Sequence, residues 1–198
     1  MFESLFQPDL GRGERILWTG QPDPNRLLSR TDLFLVPFSL VWGGFALYWE
    51  ATVLGWLGDF SAPPVFAVFG LPFVLFGLYL IVGRFFYLAW IKRRTYYAVT
   101  SQRALILRDA WGRSLDSFPL QAVASVSTTV RQDGSGTIVF GPTTPFDVVY
   151  GNTGLSFLRR GSYTPAFFDV PEVRTVAQII QDQQASLPAP KQPRPRRR

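Results

Sequence analysis

Two long apolar stretches without any charged residue, residues 33–49 and 60–83, constrain the fold of this chain more than any other feature. They contain 17 and 24 residues, respectively. The hydrocarbon core of a bilayer, about 30 Å thick, requires roughly 20 apolar residues in a helix, with about 17 as the lower limit. The sequence therefore predicts a membrane hairpin made of two spanning α-helices.

The basic residues near these stretches all lie on one side of the predicted hairpin. Four arginines precede the first stretch, whereas the connection 50–63 contains neither lysine nor arginine. Because positively charged segments stay in the cytoplasm, we expect both termini to be cytoplasmic. The basic residues that follow the second stretch are expected to contact the anionic inner leaflet of the membrane, and they are Arg84, Lys92, Arg93 and Arg94.

Small residues recur at helical spacing in both stretches. Ser39 lies four residues before Gly43, and Gly70 lies two helical turns before Gly77. Small side chains allow two helix backbones to approach closely within lipid. We therefore expect these four residues to form the face through which the helices pack.

The composition excludes several kinds of chemistry. The chain has no histidine and no cysteine, so imidazole bases, thiolate nucleophiles and the usual zinc or haem ligands are missing. Its two lysines, Lys92 and Lys191, lie outside the region 95–187. We therefore expect no enzymatic activity, no cofactor and no metal site.

The chain has a net charge of +6, and its excess of positive charge lies in two short segments. Residues 84–94 contribute +4 and residues 188–198 contribute +5, whereas residues 1–83 contribute −3 and region 95–187 is neutral, with seven arginines and seven acidic residues. A balanced domain does not offer the basic groove that nucleic acids require. We expect no nucleic-acid partner.

The pattern changes from helical to strand-like after residue 94. Seven short runs rich in β-branched and aromatic residues predict strands at 95–100, 103–108, 114–118, 122–131, 136–141, 146–150 and 155–159. Asp133 and Gly134 form a strong hairpin signal between two of them. Asp169 and Glu172 predict the start of a final helix through a capping box. The apolar face of this helix is predicted by its spacing of Val170, Val173, Ala177 and Ile180, reinforced by Val176 and Ile179. Before the hairpin, residues 16–18 lie between glycine and proline breakers and predict a short strand.

These patterns divide the chain into four parts. The predicted parts are a cytoplasmic N-terminal segment 1–31, a two-helix hairpin with its basic inner flank 32–94, a cytoplasmic domain 95–187, and a disordered basic tail 188–198 rich in proline and arginine. The predicted fold class is a membrane α-helical hairpin followed by a mostly-β, α+β domain.

Two motifs bracket the hairpin. Residues 13–22 read GERILWTGQP, and residues 97–103 read YAVTSQR. In this order, the motifs resemble those of bacterial membrane proteins that carry a pleckstrin-homology-like (PH-like) domain. The resemblance implies a seven-stranded barrel or sandwich with a C-terminal helix, located at the bacterial cytoplasmic (inner) membrane. It implies no catalytic residue.

Three arginines in the domain are weak candidates for contacts with a ligand. Arg103 follows a predicted turn, and Arg159 and Arg160 form an adjacent basic pair. An anion or a lipid headgroup would suit each guanidinium group. The alternative for Arg103 is a bond to a turn carbonyl or a nearby carboxylate, and the alternative for the pair is a solvated strand end.

Three functional hypotheses follow from these features. The leading one is a non-catalytic, two-pass inner-membrane protein whose cytoplasmic PH-like domain binds another protein or a membrane component. The expected partners are the bilayer, through its anionic inner leaflet, and an unidentified protein. The alternative is a homo-oligomer of hairpins, packed through Ser39, Gly43, Gly70 and Gly77, that acts as a small pore or as an accessory subunit of a transporter. A weaker alternative is sensing of lipid headgroups by the domain.

Overall fold

The computed structural model describes residues 2–29, 31–58, 62–123, 125–142, 152–155 and 164–187. These residues form two compact units. The helical unit contains the described residues between 27 and 89 together with 152–155, and the β unit contains those of 2–26, 90–142 and 164–187.

The helices and strands follow one another along the chain in a simple order. The helices are α1 (Glu3–Phe6), α2 (Asp32–Val53), α3 (Pro64–Leu78), α4 (Arg84–Arg93) and α5 (Val173–Ser186), and a π-helical turn (Tyr79–Gly83) joins α3 to α4. The strands are β1 (Ile16–Gly20), β2 (Thr95–Thr100), β3 (Arg103–Asp109), β4 (Arg113–Pro119), β5 (Val126–Val130), β6 (Gly136–Phe140) and β7 (Ala166–Val170).

Two helices are long and apolar enough to cross a membrane. They are Asp32–Val53 and the continuous helix Pro64–Arg93. Their outer surfaces remain exposed, since Leu33, Val41 and Val68 are each more than 70 % accessible. Soluble monomers rarely expose apolar surfaces of this extent, so the helices are suited to lipid.

Glycines occupy the places where α2 and α3 come closest together. A Cβ atom on Gly77 would lie 2.9 Å from the Cα atom of Gly43, and a Cβ atom on Gly70 would collide with the carboxylate of Glu50. Gly43, Gly70, Gly77 and Ser39 are all buried. The four small residues singled out by their spacing thus lie inside a single hairpin.

Replacing Gly77 by alanine is expected to lower the free energy of unfolding by about 1–3 kcal/mol, because the methyl group would displace the backbone of α2. Gly44→Ala is the matched control, since a Cβ atom at that helical position meets no atom within 4 Å. The control should be neutral or more stable by up to about 1 kcal/mol. Equilibrium unfolding of the full chain in detergent micelles measures both variants. Equal stabilities would contradict this account of the packing.

The strands of the β unit form two antiparallel sheets. One sheet has four strands in the order β1-β2-β3-β4, and the other has three strands in the order β5-β6-β7. The hairpin signal at Asp133 and Gly134 is confirmed, since β5 and β6 pair from Val130↔Gly136 to Val126↔Phe140. Gly134 takes a φ of +78°, which suits glycine in this turn.

Strands β1 and β7 are not among the seven strands predicted after residue 94. The short strand predicted at residues 16–18 is confirmed as β1, and it pairs antiparallel with β2, although the domain was predicted to begin at residue 95. Strand β7 precedes the last helix and pairs with β6. The predicted strands 146–150 and 155–159 lie outside the described residues, apart from Leu155, which is in no strand.

The core of the β unit is built around an aromatic cluster on β7. The ring of Phe167 lies 4.5 Å from that of Tyr97, 4.9 Å from that of Phe140 and 6.2 Å from that of Trp18. Trp18 and Tyr97 belong to the two motifs that bracket the hairpin. The motifs therefore meet in one core although they are far apart in the chain.

The final helix covers this core through its predicted apolar face. Val173, Val176, Ala177 and Ile180 are buried and pack in the main hydrophobic cluster. The predicted start of the helix is wrong, however. Asp169 belongs to β7 rather than to a helix cap, and α5 begins at Val173. The Asp169 carboxylate is engaged by two cations instead, so it does not cap the helix.

Candidate functional site

A network centred on Glu14 joins the two sequence motifs. The Glu14 side chain is 1 % exposed. The guanidinium group of Arg103 donates to both of its carboxylate oxygens, from Nε to Oε1 and from Nη2 to Oε2, each at 2.9 Å. The hydroxyl of Thr100 donates to Oε1 at 2.6 Å. These charge-assisted hydrogen bonds hold the loop before β1 against the β2–β3 turn.

Backbone bonds between the same motifs reinforce the network. The Ser101 amide donates to the carbonyl of Arg15 at 2.8 Å, and the Arg15 amide donates to the hydroxyl of Ser101 at 3.2 Å. Arg103 also donates through Nη2 to the carbonyl of Asp9 at 2.7 Å. The guanidinium group of Arg103 is thus held by a carboxylate and a carbonyl, which is the structural alternative to a ligand contact.

The network alters the protonation of its members. The hydrogen bonds from Arg103, followed by those from Thr100 and the Gly11 amide, lower the pKa of Glu14 to about 2, although burial opposes the shift. The same carboxylate raises the pKa of Arg103. Glu14 therefore remains ionised in the folded protein at all ordinary pH values, as a structural anion.

A second buried cluster lies at the end of α4. The side chain of Lys92 is 4 % exposed and that of Asp169 is fully buried, with Lys92 Nζ at 2.6 Å from Oδ2 of Asp169. Arg131 Nη1 lies 2.5 Å from the other oxygen, Oδ1. Lys92 also donates to the backbone carbonyl of Arg26. A carboxylate held by two cations stabilises the junction of α4, β5 and β7.

Gln21 completes this junction from the first motif. Its Nε2 donates to the carbonyls of Lys92, at 3.3 Å, and of Arg93, at 2.7 Å. The last carbonyls of a helix have no partner within the helix, so a side-chain donor caps them. The motif glutamine thus terminates α4 where the chain turns into β2.

An ion pair is also buried in the helical unit. Arg84 is 1 % exposed and Asp32 is 3 % exposed, and Nη1 of Arg84 contacts Oδ1 of Asp32. Arg84 Nε donates to the carbonyl of Leu80 at 2.9 Å. Its Nη2 atom is buried without a hydrogen-bond partner among the described residues.

The short segment 152–155 packs on this ion pair within the helical unit. The hydroxyl of Tyr79 donates to the carbonyl of Gly154 at 2.5 Å, and Arg84 Nη1 lies 3.5 Å from the carbonyl of Thr153. Gly154 has a φ of +79°, and a Cβ atom there would lie 2.6 Å from the carbonyl oxygen of Arg84. Only glycine fits this close approach.

The predicted contacts with the membrane surface divide into two groups. Arg93 and Arg94 are exposed, as such contacts require. Arg84 and Lys92 are buried in ion pairs, so the prediction of surface contacts for these two residues is corrected. A charge removed from water needs a partner, and each of them has a carboxylate. Arg159 and Arg160 lie outside the described residues.

The carboxylates of these ion pairs were missed by sequence reasoning. Asp32 served only to delimit the first apolar stretch, and Asp169 was assigned to a helix cap. A usable signal existed for Asp32, because the entry and exit of a hairpin lie at the same depth. An acid before the first span therefore comes near a base after the second. No comparable signal links Asp169 to Lys92.

The buried acidic side chains of the described residues are engaged by basic ones. The described residues contain no group of three or more acidic side chains arranged to hold a metal ion. Their clustered carboxylates, at Glu14, Asp32 and Asp169, are bound by arginine or lysine. These ion pairs hold together segments that are distant in the chain.

Comparisons with protein-family models, with curated proteins and with solved structures found no match to this chain.

Proposed function

We propose that this chain is a non-catalytic, two-pass protein of the bacterial inner membrane whose cytoplasmic PH-like domain binds another protein or a membrane component. The observation that carries the proposal is the short covalent connection between the second apolar helix and the β-sheet. Helix α4 ends at Arg93 and strand β2 begins at Thr95, so one residue separates a helix apolar enough to span from a β-sheet. Such a link keeps a domain at the membrane surface.

The strand arrangement supports the PH-like part of the proposal. Four antiparallel strands followed by three, with a C-terminal helix covering the core, agree with that plan. The two motifs that carry the resemblance contribute Glu14, Gln21, Thr100 and Arg103 to hydrogen bonds between segments. Hydrogen bonding between distant segments would account for the polar and charged residues of the two motifs.

The domain has a surface suited to a protein partner. Among the described residues, strand β5 is at an edge of its sheet, and residues 127–130 are exposed. An edge strand presents unpaired amides and carbonyls that can pair with an added strand. Headgroup sensing through Arg103 receives less support, because Glu14 and Asp9 occupy its guanidinium group.

The pore alternative also receives less support. Its proposed contacts between copies are Ser39, Gly43, Gly70 and Gly77, and these residues are buried within one hairpin. Association of copies through them would require α2 and α3 to separate. The exposed outer surface of the hairpin is uniformly suited to lipid.

The proposed topology predicts the side from which single cysteines react. The chain has no native cysteine, so each introduced thiol is unique. In intact cells whose outer membrane is permeable, Gly58→Cys should react with a membrane-impermeant maleimide, whereas Gln132→Cys in the β5–β6 turn should react only after lysis. The opposite pattern, or reaction at both positions before lysis, would contradict the two-pass arrangement.

The interaction role predicts a specific covalent adduct. A photoreactive amino acid at Thr129 on β5, in the full chain in its native membrane, should give one adduct of discrete mass. The same group at Val41, on the lipid-facing surface of α2, is the matched control. Equal and diffuse labelling at the two positions would contradict a protein partner at this edge.

A further inference from the structure

An exposed tryptophan lies at the tip of the β3–β4 hairpin. Trp111 is 83 % accessible, the most exposed large apolar side chain among the described residues. Asp109 and Arg113 pair across a three-residue loop, and Gly112 takes a positive φ of 119°. The loop therefore has a defined conformation that holds the indole outward.

This loop is attached to the end of the helix apolar enough to span the membrane. The rings of Trp111 and Trp90 meet edge to face with centroids 5.1 Å apart. The Asp109 amide donates to the carbonyl of Arg94 at 2.9 Å, and Arg94 Nη1 donates to the Asp109 carbonyl at 3.4 Å. Trp111 thus lies beside residues that end or directly follow the span Pro64–Arg93.

The charges around the tip complement an anionic bilayer. Arg93 and Arg94 are exposed, and the Arg94 guanidinium group lies 5.2 Å from the centre of the Trp90 ring. Against their two positive charges stands the one carboxylate of Asp109, so the patch is net positive. Arg113 is paired with Asp9. Tryptophan beside arginine is the combination that favours the interface between water and lipid.

We infer that the β3–β4 tip is a membrane-interface anchor, in which Trp111 enters the inner leaflet beside Trp90 while Arg93 and Arg94 contact anionic headgroups. The inference rests on the proposed two-pass arrangement. It adds a second attachment of the β unit to the bilayer, besides the covalent link at Arg94.

The test uses the full chain reconstituted into vesicles of phosphatidylcholine and phosphatidylglycerol. Trp111→Cys carries an environment-sensitive nitrobenzoxadiazole label, and Gln132→Cys, in the exposed β5–β6 turn, carries the same label as the control. Spin-labelled lipid should quench the label at position 111 at least threefold more than that at 132. Equal quenching at the two positions would overturn the anchor.

Two further measurements separate the possible failures. The label replaces the indole of Trp111, so the labelled variant does not test the indole itself. Wild type and Trp111→Phe are therefore compared by iodide quenching of tryptophan fluorescence. An anchored Trp111 leaves the iodide-accessible fluorescence intensity unchanged, and a loss of that intensity in the variant contradicts anchoring. A label at Val41→Cys reports the hairpin. If lipid quenches it but not position 111, only the anchor fails, and if it quenches neither, the two-pass arrangement fails as well.

Discussion

Asp32→Asn is expected to lower the free energy of unfolding of the full chain by about 3–5 kcal/mol, the largest effect among the variants considered. The substitution keeps the size of the side chain but removes its charge. Arg84, 1 % exposed, would then keep a buried cation without a carboxylate. Equilibrium unfolding in detergent micelles, followed by circular dichroism, measures the loss.

The double variant Asp32→Asn/Arg84→Met distinguishes pairing from a general effect of substitution. Removing both charges avoids the unpaired cation, so most of the lost stability should return. Strictly additive losses in the double variant would contradict a coupled pair. The half-exposed pair of Arg108 and Asp116, 3.0 Å apart, provides the control. Asp116→Asn should cost no more than about 1 kcal/mol.

Glu14→Gln is expected to lower stability at pH 7 by about 2–3 kcal/mol and to change the response to acid. The pKa of Glu14 is about 2 in the folded chain, against an ordinary value of 4.5 for a glutamate side chain. As the pH falls, the unfolded chain therefore takes up the proton first. The stabilisation by this carboxylate is complete above about pH 5 and is lost as the pH falls towards 2.

Unfolding of wild type and variant between pH 7 and pH 2 provides the measurement. The two free energies should converge as the pH approaches 2, because the protonated glutamic acid resembles glutamine. In Arg103→Met the largest cause of the low pKa is removed, so the folded pKa of Glu14 moves back towards its unfolded value and the loss of stability between pH 5 and pH 2 should be smaller than in wild type. A constant gap between wild type and Glu14→Gln across the whole range would contradict the role of Glu14.

Local patterns were sufficient for much of the architecture. The apolar stretches predicted α2 and α3 because the bilayer sets a minimum length that few soluble helices meet. Asp133 and Gly134 predicted the β5–β6 hairpin because a tight turn demands a residue with positive φ. The apolar spacing of Val173, Val176 and Ile180 predicted the buried face of α5. Each of these signals is contained within a few turns or strands.

Such local patterns do not predict which distant segments of the chain pair with each other. Strand β1 joins β2 across the whole hairpin, and Glu14 reaches Arg103 over 89 positions. Neither partner is marked by its neighbours in the chain. The boundary of the domain at residue 95 was therefore drawn without its first strand, and the carboxylate that engages Arg103 was missed.

The sequence by itself determined where the chain can enter lipid, where most of the described strands form and where its net charge lies, because length, periodicity and charge are local properties. Only the tertiary structure decided the roles of the individual charges. Arg84 and Lys92 follow the second apolar stretch, where basic residues usually contact the membrane surface. Each is nevertheless buried against a carboxylate from a distant segment of the chain. The physical reason is that a buried charge is tolerated only with a partner, and the fold alone brings that partner near.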